Sequence, residues 1–133
     1  VRTLCDKCKS SQELSDDDIA QYGLARFLNG GRSVYSASGC ESCADTGYSG
    51  RVAIHELFAL DSEMHRTIMS GADATVLHAT ARKQGMLTLY EDGLRKVAQG
   101  VTSLNEVLRV TQDQGEALES DGEHPQPSDS VVA

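Results

Sequence analysis

Four cysteines carry the strongest chemistry in the sequence: Cys5 and Cys8 in CDKC, then Cys40 and Cys43 in CESC, with 31 residues between the pairs. A two-residue gap lets a tight turn aim both sulfurs at one point while backbone N–H groups help to hold them as thiolates, so two such knuckles complete a tetrahedral S4 site. No cysteine is left over to serve as a free nucleophile. Two disulfides are the other use of the same residues. That use suits a short secreted scaffold, or a redox pair in a βαβ setting, and the sequence gives neither context. Tetrathiolate sites suit zinc or iron, and nothing in the sequence points to electron transfer, so the expectation is Zn2+ held by Cys5, Cys8, Cys40 and Cys43. A catalytic zinc keeps one position open, whereas four thiolates close the shell, so the site reads as structural.

Other candidate chemistries fail on spacing. His55-Glu56 resembles the start of H-E-x-x-H, but residue 59 is Ala, and the deaminase signature fails because Gly39 rather than Pro precedes Cys40. His65, His78 and His124 stand alone. The dipeptide Gly-Lys does not occur, so there is no loop of the G-x-x-x-x-G-K-[ST] type to cradle phosphates, and neither G-x-G-x-x-G nor G-x-S-x-G is present. Acidic neighbours such as Glu91 with Asp92, or Asp16 to Asp18, sit at expected helix starts, where caps and the helix dipole explain them. On this reading the chain has no catalytic residue and no nucleotide site of its own.

The elements that must position the cysteines divide at about residue 60. Ser15 with Asp18 makes an S-x-x-D box that opens a helix through Ile19, Tyr22, Phe27 and Leu28, weakened by Gly23 and stopped at Asn29-Gly30-Gly31. A short strand is expected over 33–37, a turn over 46–50, and a second strand in the first half of RVAIHELFAL, 51–60. From Asp61 the pattern becomes helical. Asp61 caps a helix with Met64, Ile68 and Met69; Asp73 caps one with Leu77 and Ala81; Thr88 with Glu91 boxes one with Leu89, Leu94 and Val97. Ser103 with Glu106 boxes the last, with Leu104, Val107 and Leu108. No one of these is long enough to be stable alone, so they are expected to pack together as a bundle whose methionines fill gaps. The expected fold is α+β, mainly α: a zinc-stapled lobe with a short β element over 1–60, then a helical bundle over 61–110.

Charge sharpens the division. The formal net charge is −8 over 133 residues, but 111–133 hold six acids, no Lys or Arg, and both prolines. That stretch is expected to be a disordered acidic tail, because it cannot bury enough surface to offset the entropy of ordering. Residues 1–110 then stand at −2, and a zinc tetrathiolate would take them to about −4, a poor start for neutralising phosphates, so nucleic acid is not an expected partner. The longest apolar run lies around Ala59, far short of the ~20 residues that span a bilayer, and no basic-then-apolar leader opens the chain. With no initiating Met, the sequence is expected to be a soluble, non-secreted piece of a longer protein that does not insert in a membrane.

Three stretches taken together, VRTLCDKC, GCESCADTGYSGRVAIHELFALD and ARKQGMLTLYEDGLRKVAQGVTSLNEVLRVT, resemble the C-terminal end of the type II secretion and type IV pilus assembly ATPases. The resemblance covers about 1–110. It implies a cytoplasmic hexameric motor, peripheral at the bacterial inner membrane, that uses ATP hydrolysis to drive assembly of pseudopilins or pilins. In that family the four cysteines hold zinc, which maps onto Cys5, Cys8, Cys40 and Cys43. ATP and Mg2+ would bind the upstream part of the parent protein, since the phosphate-binding motifs lie there. The implied partners are the rest of the hexamer and inner-membrane platform or assembly proteins. The tetracysteine motif implies an assembly rather than a retraction motor, and secretion and pilus versions share it.

Two other classes compete with a non-catalytic zinc module of a motor: a free-standing zinc-ribbon adaptor and an independent zinc enzyme. The closed S4 shell argues against the enzyme, and a Walker loop upstream of Val1 would separate module from adaptor. If the division at residue 60 also governs packing, removing the metal disorders roughly 1–58 and leaves the helical half folded.

Overall fold

The computed structural model describes residues 1–119. The fold is α+β with helix predominating: six α-helices and two separate two-stranded sheets among the described residues.

Strand pairing gathers the cysteine-bearing half. β1 (Arg2–Leu4) runs antiparallel to β4 (Tyr48–Arg51), with Arg2 opposite Arg51, Leu4 opposite Tyr48 and an irregularity between them. β2 (Ser10–Glu13) pairs antiparallel with β3 (Ser33–Ser36), in register from Ser10 opposite Ser36 to Glu13 opposite Ser33. β2 reads SSQE and is exposed throughout, so it lacks the alternation by which a strand is recognised; its partner makes it one.

Local expectations change at three places. Ser15 and Asp18 form their reciprocal capping box, but Gly23 at φ 71° ends α1 (Asp16–Tyr22), and a single further turn, α2 (Ala25–Leu28), closes on Asn29 at φ 48°. Glycine adopts that left-handed conformation without steric cost, which makes it a helix stop rather than a weak interior residue. The strand expected in the first half of 51–60 ends at Arg51: β4 instead takes in Tyr48, Ser49 and Gly50 from the expected turn, and 52–60 has no regular element. The C-terminal helices are α3 (Ser62–Met69), α4 (Ala74–Lys83), α5 (Leu89–Ala98) and α6 (Leu104–Glu119). Asp61 and Asp73 cap α3 and α4, and Thr88 with Glu91 boxes α5, as the sequence indicates. α6 crosses Thr111 and runs to Glu119, past the start expected for the acidic tail; the rest of that stretch, with His124, lies outside the described residues.

The principal core draws on both sides of residue 60. Leu14, Leu24 and Val34 pack with Leu94, Val97 and Val107, joined at the edge by Ile19, Phe27, Tyr90 and Leu104. Gly93 lets α5 and α6 meet closely, since a Cβ there would lie 2.6 Å from Val107 Cγ1. A second, smaller cluster of Met64, Ala81 and Met86, with Leu77, joins α3 to α4.

One buried carboxylate ties the first strand to the last helix. Ser103 Oγ accepts the Glu106 N–H at 3.2 Å, but the Glu106 carboxylate turns away from the cap, leaving the box half made. It accepts the Arg2 backbone N–H at 3.0 Å, Arg2 Nη2 at 2.7 Å and Arg109 Nη2 at 2.8 Å, with no side-chain exposure. Burial works to raise its pKa, but the hydrogen bonds from Arg109 and Arg2 prevail and hold it at about 2. The unfolded carboxyl titrates near ~4.3, so this contribution to stability is complete above that pH and is lost as pH falls through the folded value. Glu106→Gln removes the buried negative charge to which Arg2 and Arg109 donate; because both guanidiniums are half-exposed, the loss should be about 2 kcal/mol at neutral pH. Urea unfolding at pH 7 and in steps below about pH 5 checks this: the gap from wild type should be full at pH 7 and begin to close on the acid side.

Candidate metal centre

Each knuckle is built by backbone hydrogen bonds that fold the chain around its first cysteine. Cys5 follows β1 directly, and its carbonyl accepts the N–H groups of Cys8 at 3.2 Å and Lys9 at 2.9 Å. The Cys40 carbonyl likewise accepts from Cys43 at 3.1 Å and Asp45 at 2.9 Å, around a single 3-10 turn over Glu41–Cys43. Thr46 Oγ1 donates to the Cys43 carbonyl at 2.7 Å and fixes the exit. The two knuckles are joined where the Cys5 N–H donates to the Gly47 carbonyl at 2.9 Å. Gly47 has φ +75° and a Cβ there would sit 2.6 Å from Ala37 Cβ, so only glycine allows this closeness.

The four sulfurs converge. All lie within 4.8 Å of one another, with Cys5 and Cys43 buried and Cys8 and Cys40 half-buried. Cys43 Sγ is 3.8 Å from Cys8 Sγ and 3.8 Å from Cys40 Sγ. A tetrahedron with Zn–S bonds of about 2.3 Å has sulfur–sulfur edges of about 3.8 Å, so the spacing fits one zinc ion at the centre. All four cysteines are unbridged, so the arrangement is not a pair of disulfides. Two N–H groups, from Cys40 and Gly47, donate to Cys43 Sγ, each at 3.2 Å. Burial works to raise the Cys43 thiol, but those donors outweigh it and bring it down to about 6. Burial beside the other sulfurs pushes Cys8 up to about 12. A cation placed among the four sulfurs would favour the thiolate at each, so its binding would release protons.

No other group of this kind occurs among the described residues. His55, His65 and His78 are exposed and lie outside the cysteine cluster. A groove of about 610 Å³ between 55–59, α4 and α5 includes His55, Glu56, Met86, Asp92 and Arg95. Its acid is engaged: Asp92 is 2% exposed, pairs with Arg95 and with Lys96 Nζ at 2.7 Å, and accepts the His55 N–H at 2.9 Å. Sequence reasoning assigned Asp92 to the helix start, where it does sit. Its second duty, holding 52–60 against α5, is tertiary and left no local signal.

Comparison with known proteins places this geometry. The family model for type II/IV secretion system proteins matches residues 1–109. The chain belongs to that family. A type IV pilus assembly ATPase, PilB, of Thermus thermophilus is 43% identical over 111 residues, covering 84% of this chain and 12% of its own length. The type II secretion system protein HxcR of Pseudomonas aeruginosa is 40% identical, covering 85% of this chain and 20% of the relative. Type II secretion system protein E of Dickeya dadantii is 39% identical, over 86% of this chain and 22% of the relative. The chain therefore spans between 12% and 22% of the length of these curated relatives. Relatives named for secretion and for pilus assembly match at nearly equal identity.

Proposed function

We propose that the chain is the non-catalytic zinc-binding module of a hexameric ATPase that drives pseudopilin or pilin assembly from the cytoplasmic face of the bacterial inner membrane. The observation that carries this reading is the convergence of Cys5, Cys8, Cys40 and Cys43 into a closed tetrathiolate shell, in a chain of the secretion family. One structural Zn2+ held by those four residues supplies cohesion and no reactivity, because no coordination position remains for water or substrate. ATP and Mg2+ belong to the upstream part of the parent, since no phosphate-cradling sequence occurs here. Partners are the remainder of the hexamer and the inner-membrane platform or assembly proteins. No described helix is long and apolar enough to cross a membrane.

The test compares this chain with its full-length parent. Both should hold one zinc per chain, and the parent alone should turn over ATP. Hydrolysis by the isolated chain above that of a four-cysteine-free variant, or a full-length protein with no ATP-binding loop, would overturn the proposal.

A further inference from the structure

The segment after β4 carries the marks of a strand without carrying the pairing of one. Even-numbered positions along 52–60 include Val52, Ile54, Phe58 and Leu60, and odd-numbered ones Ala53, Leu57 and Ala59, so a strand over this segment would be apolar on both faces. Leu57 is 77% exposed, Leu60 66% and Phe58 40%, the densest run of exposed large apolar residues in the described chain. Among the described residues, no backbone–backbone hydrogen bond reaches 53–60. Apolar residues on both faces of an extended segment are what a strand buried within a layered sheet has, and they are unfavourable in water.

Register says which chain would pair with it. The Val1 amino group donates to the Val52 carbonyl at 2.9 Å, and the Val52 N–H donates to the Val1 carbonyl at 2.9 Å. This is a hydrogen-bonded antiparallel pair, and it extends the β1–β4 ladder, in which Arg2 faces Arg51. Continued in the same sense, the second residue before Val1 falls opposite Ile54, the fourth opposite Glu56 and the sixth opposite Phe58. The N–H groups of even-numbered residues then face that incoming strand. The opposite edge behaves accordingly, since the His55 N–H points the other way, to Asp92 Oδ2 at 2.9 Å.

We propose that in the parent protein the residues leading into Val1 form a β-strand that pairs antiparallel with 52–60, so that this segment is built into a sheet of the preceding domain. The proposal rests on the reading of the chain as one part of a longer ATPase, with relatives that are several times its length. It also gives the module a rigid connection. The strand entering at Val1 continues through β1 to Cys5, so the metal-bearing knuckle is held by the same ladder that enters the neighbouring domain.

Residue-resolved amide exchange on the full-length parent and on the 133-residue chain tests this. In the parent, Ile54, Glu56 and Phe58 amides should exchange at least about 100-fold more slowly than in the isolated chain, while α5 amides are slow in both and confirm that the isolated chain is folded. Equal, fast exchange of the three amides in a parent that hydrolyses ATP would overturn the strand and leave the ATPase reading intact. Slow exchange in a parent without ATPase activity would keep the strand and remove that reading. Protection in the isolated chain that rises with concentration as dimers form would assign the edge to a second copy and overturn the proposal.

Discussion

Cys43→Ser is expected to abolish stoichiometric zinc binding and to lower stability by several kcal/mol, enough to unfold most of the chain at 37 °C. Cys43 is the sulfur on which the cluster turns: 8% exposed, 3.8 Å from both Cys8 and Cys40, and receiving N–H donors from both Cys40 and Gly47. A serine hydroxyl does not ionise at neutral pH and is a hard ligand where a soft one is needed. Structural zinc contributes on the order of 10 kcal/mol to small domains, comparable to the whole stability of an ordinary one. Elemental analysis and urea unfolding of the variant check this, with Ser42→Ala as a neighbour expected to keep its metal. One zinc per chain and an unchanged midpoint in Cys43→Ser would contradict it.

Withdrawing the metal from the wild-type chain should unfold more than the cysteine-bearing half. A division at residue 60 would confine the damage to about 1–58, but the packing is otherwise. Leu14, Leu24 and Val34 supply half of the core that covers Leu94, Val97 and Val107. The Leu4 N–H donates to the Val101 carbonyl at 2.9 Å, Thr102 Oγ1 donates to the Arg2 carbonyl at 2.7 Å, and Tyr48 and Ser103 hydroxyls meet at 2.7 Å. With Glu106 on Arg2, the loop from α5 to α6 is stitched to β1, so the loss of the knuckles exposes the helices they cover. A strong chelator should therefore remove most of the α5 and α6 helical signal in circular dichroism along with the strands. A loss limited to non-helical signal would favour two independent halves.

The sequence made the cysteine cluster legible because knuckle spacing is a local property: two residues between cysteines suffice to form the turn, whatever surrounds it. Helix starts were legible for the same reason, since Ser15, Asp61, Asp73 and Thr88 each act within three residues. Illegible features were those that a distant partner creates. β2 has no pattern until β3 lies beside it, and Asp92 and Glu106 look like any acids in a first turn until Lys96, His55, Arg2 and Arg109 gather on them. In the first half of 51–60 the apolar residues suggested a strand, yet β4 ends at Arg51 and backbone pairing stops with Val52 against Val1.

The most direct test of a zinc staple beneath one shared core is amide-resolved NMR during chelator titration, with bound zinc counted at each step. One zinc per chain should leave, and dispersed signals from 1–47 and from α5 and α6 should vanish together in proportion to it. Loss of the zinc with spectra unchanged, or a chain that never held zinc yet shows the full dispersed spectrum, would contradict the account.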